Sequence, residues 1–225
     1  MKFNTQNARF IMTFMVLGLL ALQIPLWQLQ GSKAAFTLFD LFGPLAAAFI
    51  GTWPGIVAVA AVEVFNFFAH GARVLDAGTV IRFFPMLFAV WYFGRKNPLV
   101  LLAPLLAIIS FVVHPIGRTV WYFSLYWTIP IACHFLRDHF LFARALGATF
   151  TAHAVGGALW IYVFKMPAIV WVGLIPVVAR ERLVFALGIT CSYLVLNNVL
   201  QWLAHWSSLN LHWRIDRRYI LRRLG

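Results

Sequence analysis

Hydrophobic residues in this chain run in long unbroken blocks, separated by short clusters of charge, proline and glycine rather than by regularly spaced polar positions. A helix needs about 20 apolar residues to cross the hydrocarbon of a bilayer, so cutting the chain at its charges, prolines and glycines predicts eight segments. They are 10–29, 37–52, 54–70, 80–94, 98–114, 119–136, 141–164 and 183–206, with a further short apolar piece at 168–179. Barrel strands alternate polar and apolar positions, and these blocks do not. The pattern predicts an all-α fold, a polytopic integral membrane helix bundle with about six to eight transmembrane helices. Segments two and three are short and joined by Gly51-Thr52-Trp53-Pro54-Gly55, so they either cross separately or form a re-entrant hairpin, with the same parity. The first segment follows Lys2 and Arg9 as a signal peptide would, yet Ile24-Pro25-Leu26-Trp27 stands where small cleavage-site residues belong. It reads as an uncleaved helix. The membrane bundle then spans 1–206, and 207–225 forms a basic amphipathic cytoplasmic tail.

Composition agrees with the pattern. Of 225 residues 63% are hydrophobic and only 11% charged, against about 25% charged in soluble chains, so ionised groups could not cover the surface of a water-soluble globule. Twenty-two Phe, 10 Trp and 6 Tyr exclude disorder. Cys133 and Cys191 sit inside apolar runs, which argues against a disulfide framework or a cysteine zinc site.

Lys and Arg in short loops set orientation. With both termini in the cytoplasm, the inner side collects Lys2, Arg9, Arg95, Lys96, Arg137, Arg144, Arg214, Arg217, Arg218, Arg222 and Arg223. The outer side collects Lys33, Arg73, Arg82, Arg118, Lys165, Arg180 and Arg182. Eleven against seven favours this orientation in a cell membrane. The same spread of cations along every loop explains the net charge of +12 without nucleic acid, and the tail is suited to anionic membrane lipid.

Ionisable groups within membrane helices cost a few kcal/mol, so each calls for a role. Glu63, Asn66 and His70 share one helical stripe at spacings of three and four. Asp40, Arg82, His114, Arg118 and Arg180-Glu181-Arg182 fall at the same outer level. The functional reading is an outward-facing ligand pocket formed by Asp40, Glu63, Asn66, His70 and Arg82, with aromatic walls that include Trp121, Trp127, Trp160 and Trp171. The plainer reading is that Glu63 pairs with Arg82 or His70 to hold helices together and that the tryptophans are interfacial belts. His153 reads as hydrogen-bonded to a neighbour, and Asn197-Asn198 as an amide bridge between helices. Ala148, Ala152 and Gly156 repeat every four residues and form a helix-packing face. No metal site, cofactor or catalytic residue is assigned, because the chain has no nucleophile elbow, phosphate loop, dinucleotide fingerprint or His-Glu-x-x-His. The expectation is a protein without enzymatic activity of its own.

Two stretches resemble the substrate-binding S components of energy-coupling factor transporters. The first runs from Leu38-Phe39-Asp40 through Gly43-Pro44-Leu45 to Gly51-Thr52-Trp53-Pro54-Gly55, similar to the family's early Gly-Pro-Leu and Gly-x-x-x-Gly hairpin. The second runs from Lys165-Met166-Pro167-Ala168 through Leu174-Ile175-Pro176 to Arg182, similar to the family's outer loop and short proline-ended segment. The resemblance implies capture of a vitamin or similar small trace nutrient from outside, and coupling to a T-type transmembrane subunit with cytoplasmic ATPases. The family's Ala-x-x-x-Ala coupling motif has no counterpart in the first segment, where only Gly18 and Ala21 stand three apart. A structural or assembly protein that binds partner helices is the alternative reading, and an intramembrane enzyme using Glu63 the third.

Overall fold

The computed structural model describes residues 5–28, 35–69, 77–206 and 214–221. Helix α1 (Thr5–Leu22) leads into a two-stranded antiparallel hairpin of β1 (Pro25–Gln28) and β2 (Ala35–Thr37). The second predicted segment is then broken into α2 (Leu38–Phe42), a 3₁₀ turn over Gly43–Leu45 and α3 (Ala46–Phe49). Pro44 explains the break, since it offers no backbone N–H to continue the α-helical ladder. Helices α4 (Thr52–Ala69) and α5 (Ala77–Gly94) follow, then a 3₁₀ turn over Pro98–Leu101 and α6 (Leu102–Val113).

Between 114 and 136 the chain departs from the single helix that its apolar run predicts. It forms α7 (Pro115–Thr119), an eight-residue 3₁₀ stretch over Trp121–Thr128 and α8 (Ile129–Leu136). Long α9 (Leu141–Phe164) and α10 (Ala168–Trp206) follow. In α10 the piece at 168–179 and the segment at 183–206 are one helix, which continues through Pro176 and through Arg180-Glu181-Arg182. Charge interrupts an apolar run but not a hydrogen-bond ladder, and two of those three side chains are buried inside the protein.

Among the described residues the regular structure is helical apart from the short hairpin. Thr52–Ala69, Leu141–Phe164 and Ala168–Ala204 are long and apolar enough to cross a membrane, and Ile11–Leu22, Leu38–Phe49, Phe83–Gly94 and Pro98–Val113 are shorter apolar helical stretches. The core has two parts. One gathers Phe14, Phe39, Phe49, Val62, Phe93, Ile189 and Tyr193, and the other surrounds Phe111, Phe123, Trp127, Phe150 and Trp171. Helix α9 contributes to both, with Ala145 and Ala148 in the first and Ala154 and Ile161 in the second.

Close approach in the α3–α4 corner depends on two glycines. Gly51 has φ of +96°, a conformation L side chains rarely adopt. At Gly55 an added Cβ would lie 2.8 Å from the backbone nitrogen of Ala47. Together they let the chain reverse with α4 packed directly on α3.

The tail is docked, not loose, over residues 214–221. Asn197 donates to the carbonyl of Asp216 at 3.0 Å and accepts from its N–H at 2.8 Å. Asn198 does the same one turn of backbone later, donating to the Tyr219 carbonyl at 2.9 Å and accepting from Leu221 at 2.9 Å. The amide pair expected to bridge helices thus holds the tail backbone, which makes a 3₁₀ turn over Arg217–Tyr219. The Arg214 N–H also donates to the Phe49 carbonyl.

Candidate functional site

A cavity of about 680 Å³ opens among α2, α4, α5, α9, α10 and β2. Its polar wall contains Thr37, Asp40, Glu63, Asn66, His153, Glu181 and Arg182. Its apolar wall includes Phe36, Phe123, Trp160 and Trp171. Of the residues that the sequence proposed for a pocket, Asp40, Glu63, Asn66, Trp160 and Trp171 therefore stand around one space. His70 lies outside the described residues, as does the side chain of Arg82. Trp121 does not line the cavity: its side chain is 53% exposed, because it opens the 3₁₀ stretch instead of facing inward from a helix.

Local structure places each polar group. Asp40 sits in the first turn of α2, where its carboxylate accepts the Thr37 N–H at 2.7 Å. A carboxylate there satisfies a donor that the helix leaves open and complements the helix dipole. Glu63 and Asn66, three apart on α4, reach the cavity from one face. From α9 the lining residues are Ala152, His153, Gly156, Gly157 and Trp160, a stripe of helical period. The small-residue repeat is thereby divided. Ala148 is fully buried in the core, whereas Ala152 and Gly156 form cavity floor, with Pro85 of α5 within van der Waals distance of a Cβ placed at Gly156.

The closest glycine contacts of α9 are elsewhere. A Cβ at Gly147 would meet the Tyr92 ring, and one at Gly157 would lie 2.7 Å from Cζ2 of Trp127. Sequence spacing missed both, because the deciding volume belongs to an aromatic ring on a distant element.

Arg182 is the main cation of the site. Its Nη2 lies 3.5 Å from Glu181 Oε2, its Nη1 donates to Thr149 at 3.3 Å, and its guanidinium lies over the rings of Phe185 and Phe36. Its Nε is buried without a hydrogen-bond partner among the described residues, and so is Nε1 of Trp171. Buried polar atoms are normally paired. Both atoms are closed off from the cavity itself, so they mark tight packing behind its wall. Glu181, Arg182 and His153 line the cavity but were not among the ligand residues assigned from the sequence; for Glu181 the signal was present, since an acidic residue flanked by two arginines in an otherwise apolar stretch requires burial with a partner.

Among the described residues no group of three or more His, Cys, Asp or Glu side chains is placed to hold a metal ion. The site offers carboxylates, a guanidinium, an imidazole and aromatic surface. That combination can orient an amphipathic organic molecule with hydrogen-bonding groups at one end. Compared with known protein families, curated proteins and solved structures, the chain matches none of them.

Opposite this cavity along the helices lies a basic end. Arg137 is buried between α8 and α9, where its Nη2 donates to the carbonyls of Tyr92 at 2.7 Å and Phe93 at 3.0 Å. Nε of Arg144 donates to the same Phe93 carbonyl at 2.7 Å. These carbonyls end α5 and have no helical donors of their own, so the two arginines close that helix.

Proposed function

We propose that this chain is an integral membrane protein of six to eight crossings that captures a small organic nutrient, of the vitamin class, in the outer half of the membrane. It acts as the substrate-binding subunit of an uptake system of the S-component type. The observation that carries this reading is the cavity of about 680 Å³, within the roughly 300–1,000 Å³ range of small-molecule sites, where a few convergent polar groups meet aromatic walls.

Membrane embedding is supported by the outer surface of the helices. Phe68, Leu106, Ile109, Val113, Ile169 and Leu187 are each more than half exposed, and an apolar surface of this extent needs a covering. Orientation is supported by the separation of charge. Lys96, Arg137, Arg144 and Arg218 gather at the end away from the cavity, which the positive-inside rule assigns to the cytoplasm. The partner implied by the resemblance is a T-type subunit with cytoplasmic ATPases. A structural or assembly role, in which Glu63 and Asn66 would serve contacts between helices, is the alternative; the place of both residues in the cavity lining supports capture.

Purified protein titrated with a panel of vitamins and nucleobases tests the reading, with tryptophan fluorescence and thermal unfolding as readouts. A ligand that binds only the native state must stabilise it by mass action. A compound that shifts both signals in the wild type, and neither in Asp40→Ala and Glu63→Ala, supports capture; a panel without effect favours the assembly role.

A further inference from the structure

The basic end contains a second, smaller cavity of about 50 Å³, lined by Gly94, Lys96, Arg137, Asp138, Arg144 and Arg218 among others. It exceeds the roughly 10–15 Å³ that one water requires. The four cations come from four places in the chain: the turn after α5, the turn after α8, the first turn of α9 and the docked tail. They meet two carboxylates, with Lys96 2.7 Å from Asp138 and Arg218 2.7 Å from Asp216. Two positive charges are left over.

Helix closure does not use up the donors. Nη2 of Arg137 serves the Tyr92 and Phe93 carbonyls, while its Nη1 is buried without a hydrogen-bond partner among the described residues. Arg137 itself is only 5% exposed. Two guanidinium charges without a carboxylate of their own remain beside the cavity, and an anion brought into it would balance them through charge-assisted hydrogen bonds. Asn197 and Asn198 hold the tail that carries Arg218 to the cavity.

We infer that this cavity binds a phosphate group, held by Arg137 and Arg144 at its base and by Lys96 and Arg218 at its rim. The group belongs either to an anionic lipid headgroup or to a soluble phosphate; only the lipid source rests on the membrane reading given above.

The test uses the full chain and two probes. Inorganic phosphate is titrated into protein in an uncharged detergent, with chloride holding ionic strength constant, and thermal unfolding is followed. In parallel, the protein is reconstituted in bilayers of phosphatidylcholine with or without phosphatidic acid. A saturable rise in unfolding temperature with inorganic phosphate identifies the soluble source; a rise only with phosphatidic acid identifies the headgroup. In either case Lys96→Gln and Arg218→Gln, both at side chains more than half exposed and each checked for wild-type helical content, should weaken the half-saturating concentration about tenfold, the effect of losing one charge-assisted hydrogen bond. No saturable rise in either arm overturns the inference, as does a rise of unchanged midpoint in both variants.

Discussion

The indole Nε1 of Trp127 donates to Nδ1 of His153 at 2.9 Å. A ring nitrogen that accepts carries no proton, so the imidazole is neutral with its hydrogen on Nε2. Trp127 is fully buried, and His153 lines the large cavity from α9. The bond therefore ties the irregular 3₁₀ stretch to the wall of the site and fixes the tautomer presented there. In Trp127→Phe the ring volume largely remains while Nδ1 loses its donor. The expected cost is about 1–3 kcal/mol of stability, measured by unfolding in detergent, with a larger loss of solute binding than of helical content. Unchanged stability would show that water replaces the indole.

Gly173 of α10 has nothing within 4 Å of the place where a Cβ would stand, and it lines the cavity. A methyl group there removes the conformational freedom of glycine without contact. Gly173→Ala should stabilise the helix by roughly 0.5–1 kcal/mol. Gly173→Leu extends a side chain into the space a solute would fill, so binding should be lost while the unfolding temperature stays at or above that of the wild type. Retained solute binding in Gly173→Leu would place the solute elsewhere.

Much of this arrangement was legible in the sequence, and the reason is physical. Apolar runs long enough for a bilayer are costly in any other setting, so helices α1, α4, α5, α9 and much of α10 appear near their expected positions. The stripe of Glu63 and Asn66 was legible because two polar residues three apart in an apolar helix must share a protein-facing side. The 3₁₀ stretch at Trp121–Thr128 was not, since hydropathy is blind to whether an apolar run closes its backbone bonds at i−3 or i−4. The division of Ala148, Ala152 and Gly156 between core and cavity was hidden for a related reason. Small residues mark close approach of a neighbour, but only the neighbour's position decides whether that space is filled by a helix or left open.

The docked tail yields a pH dependence. Arg218 holds Asp216 by three side-chain hydrogen bonds, with Nη2 to Oδ2 at 2.7 Å and Nε shared between Oδ1 at 3.1 Å and Oδ2 at 3.3 Å. That pairing pulls the Asp216 carboxyl below its ordinary value of 3.8, with partial burial acting in the opposite direction. Because the folded value is depressed, the pair contributes its full stabilisation above the ordinary carboxylate range and loses it as pH falls through the folded value. Arg218 is more than half exposed, so the effect is small, under about 1 kcal/mol. Protease cleavage between residues 206 and 221 should stay constant from neutral pH down to the carboxylate range and rise below it, and Asp216→Asn should remove that rise. Asn197→Ala acts more strongly. It removes two partly buried hydrogen bonds at about 1 kcal/mol each and should expose the tail to protease at every pH.

Sidedness is the prediction on which capture from outside depends. Lys96 lies at the basic end, 72% exposed beside Asp138. Lys165 caps α9 in the left-handed conformation, with φ of 47°, next to Met166 of the cavity wall. The two positions mark opposite ends of the helices. In a Cys191→Ser background, which removes the exposed native thiol and leaves only the buried Cys133, an impermeant maleimide should label Lys165→Cys in intact cells. Lys96→Cys should label only after permeabilisation. Glycine adopts positive φ more readily than lysine, so Lys165→Gly should be at least as stable as the wild type, and its unfolding temperature serves as the reference for that of Lys165→Cys. Labelling of Lys96→Cys in intact cells, with Lys165→Cys protected, would turn the cavity toward the cytoplasm. The same lining residues would then bind a solute from inside, and uptake from the exterior would have to be abandoned.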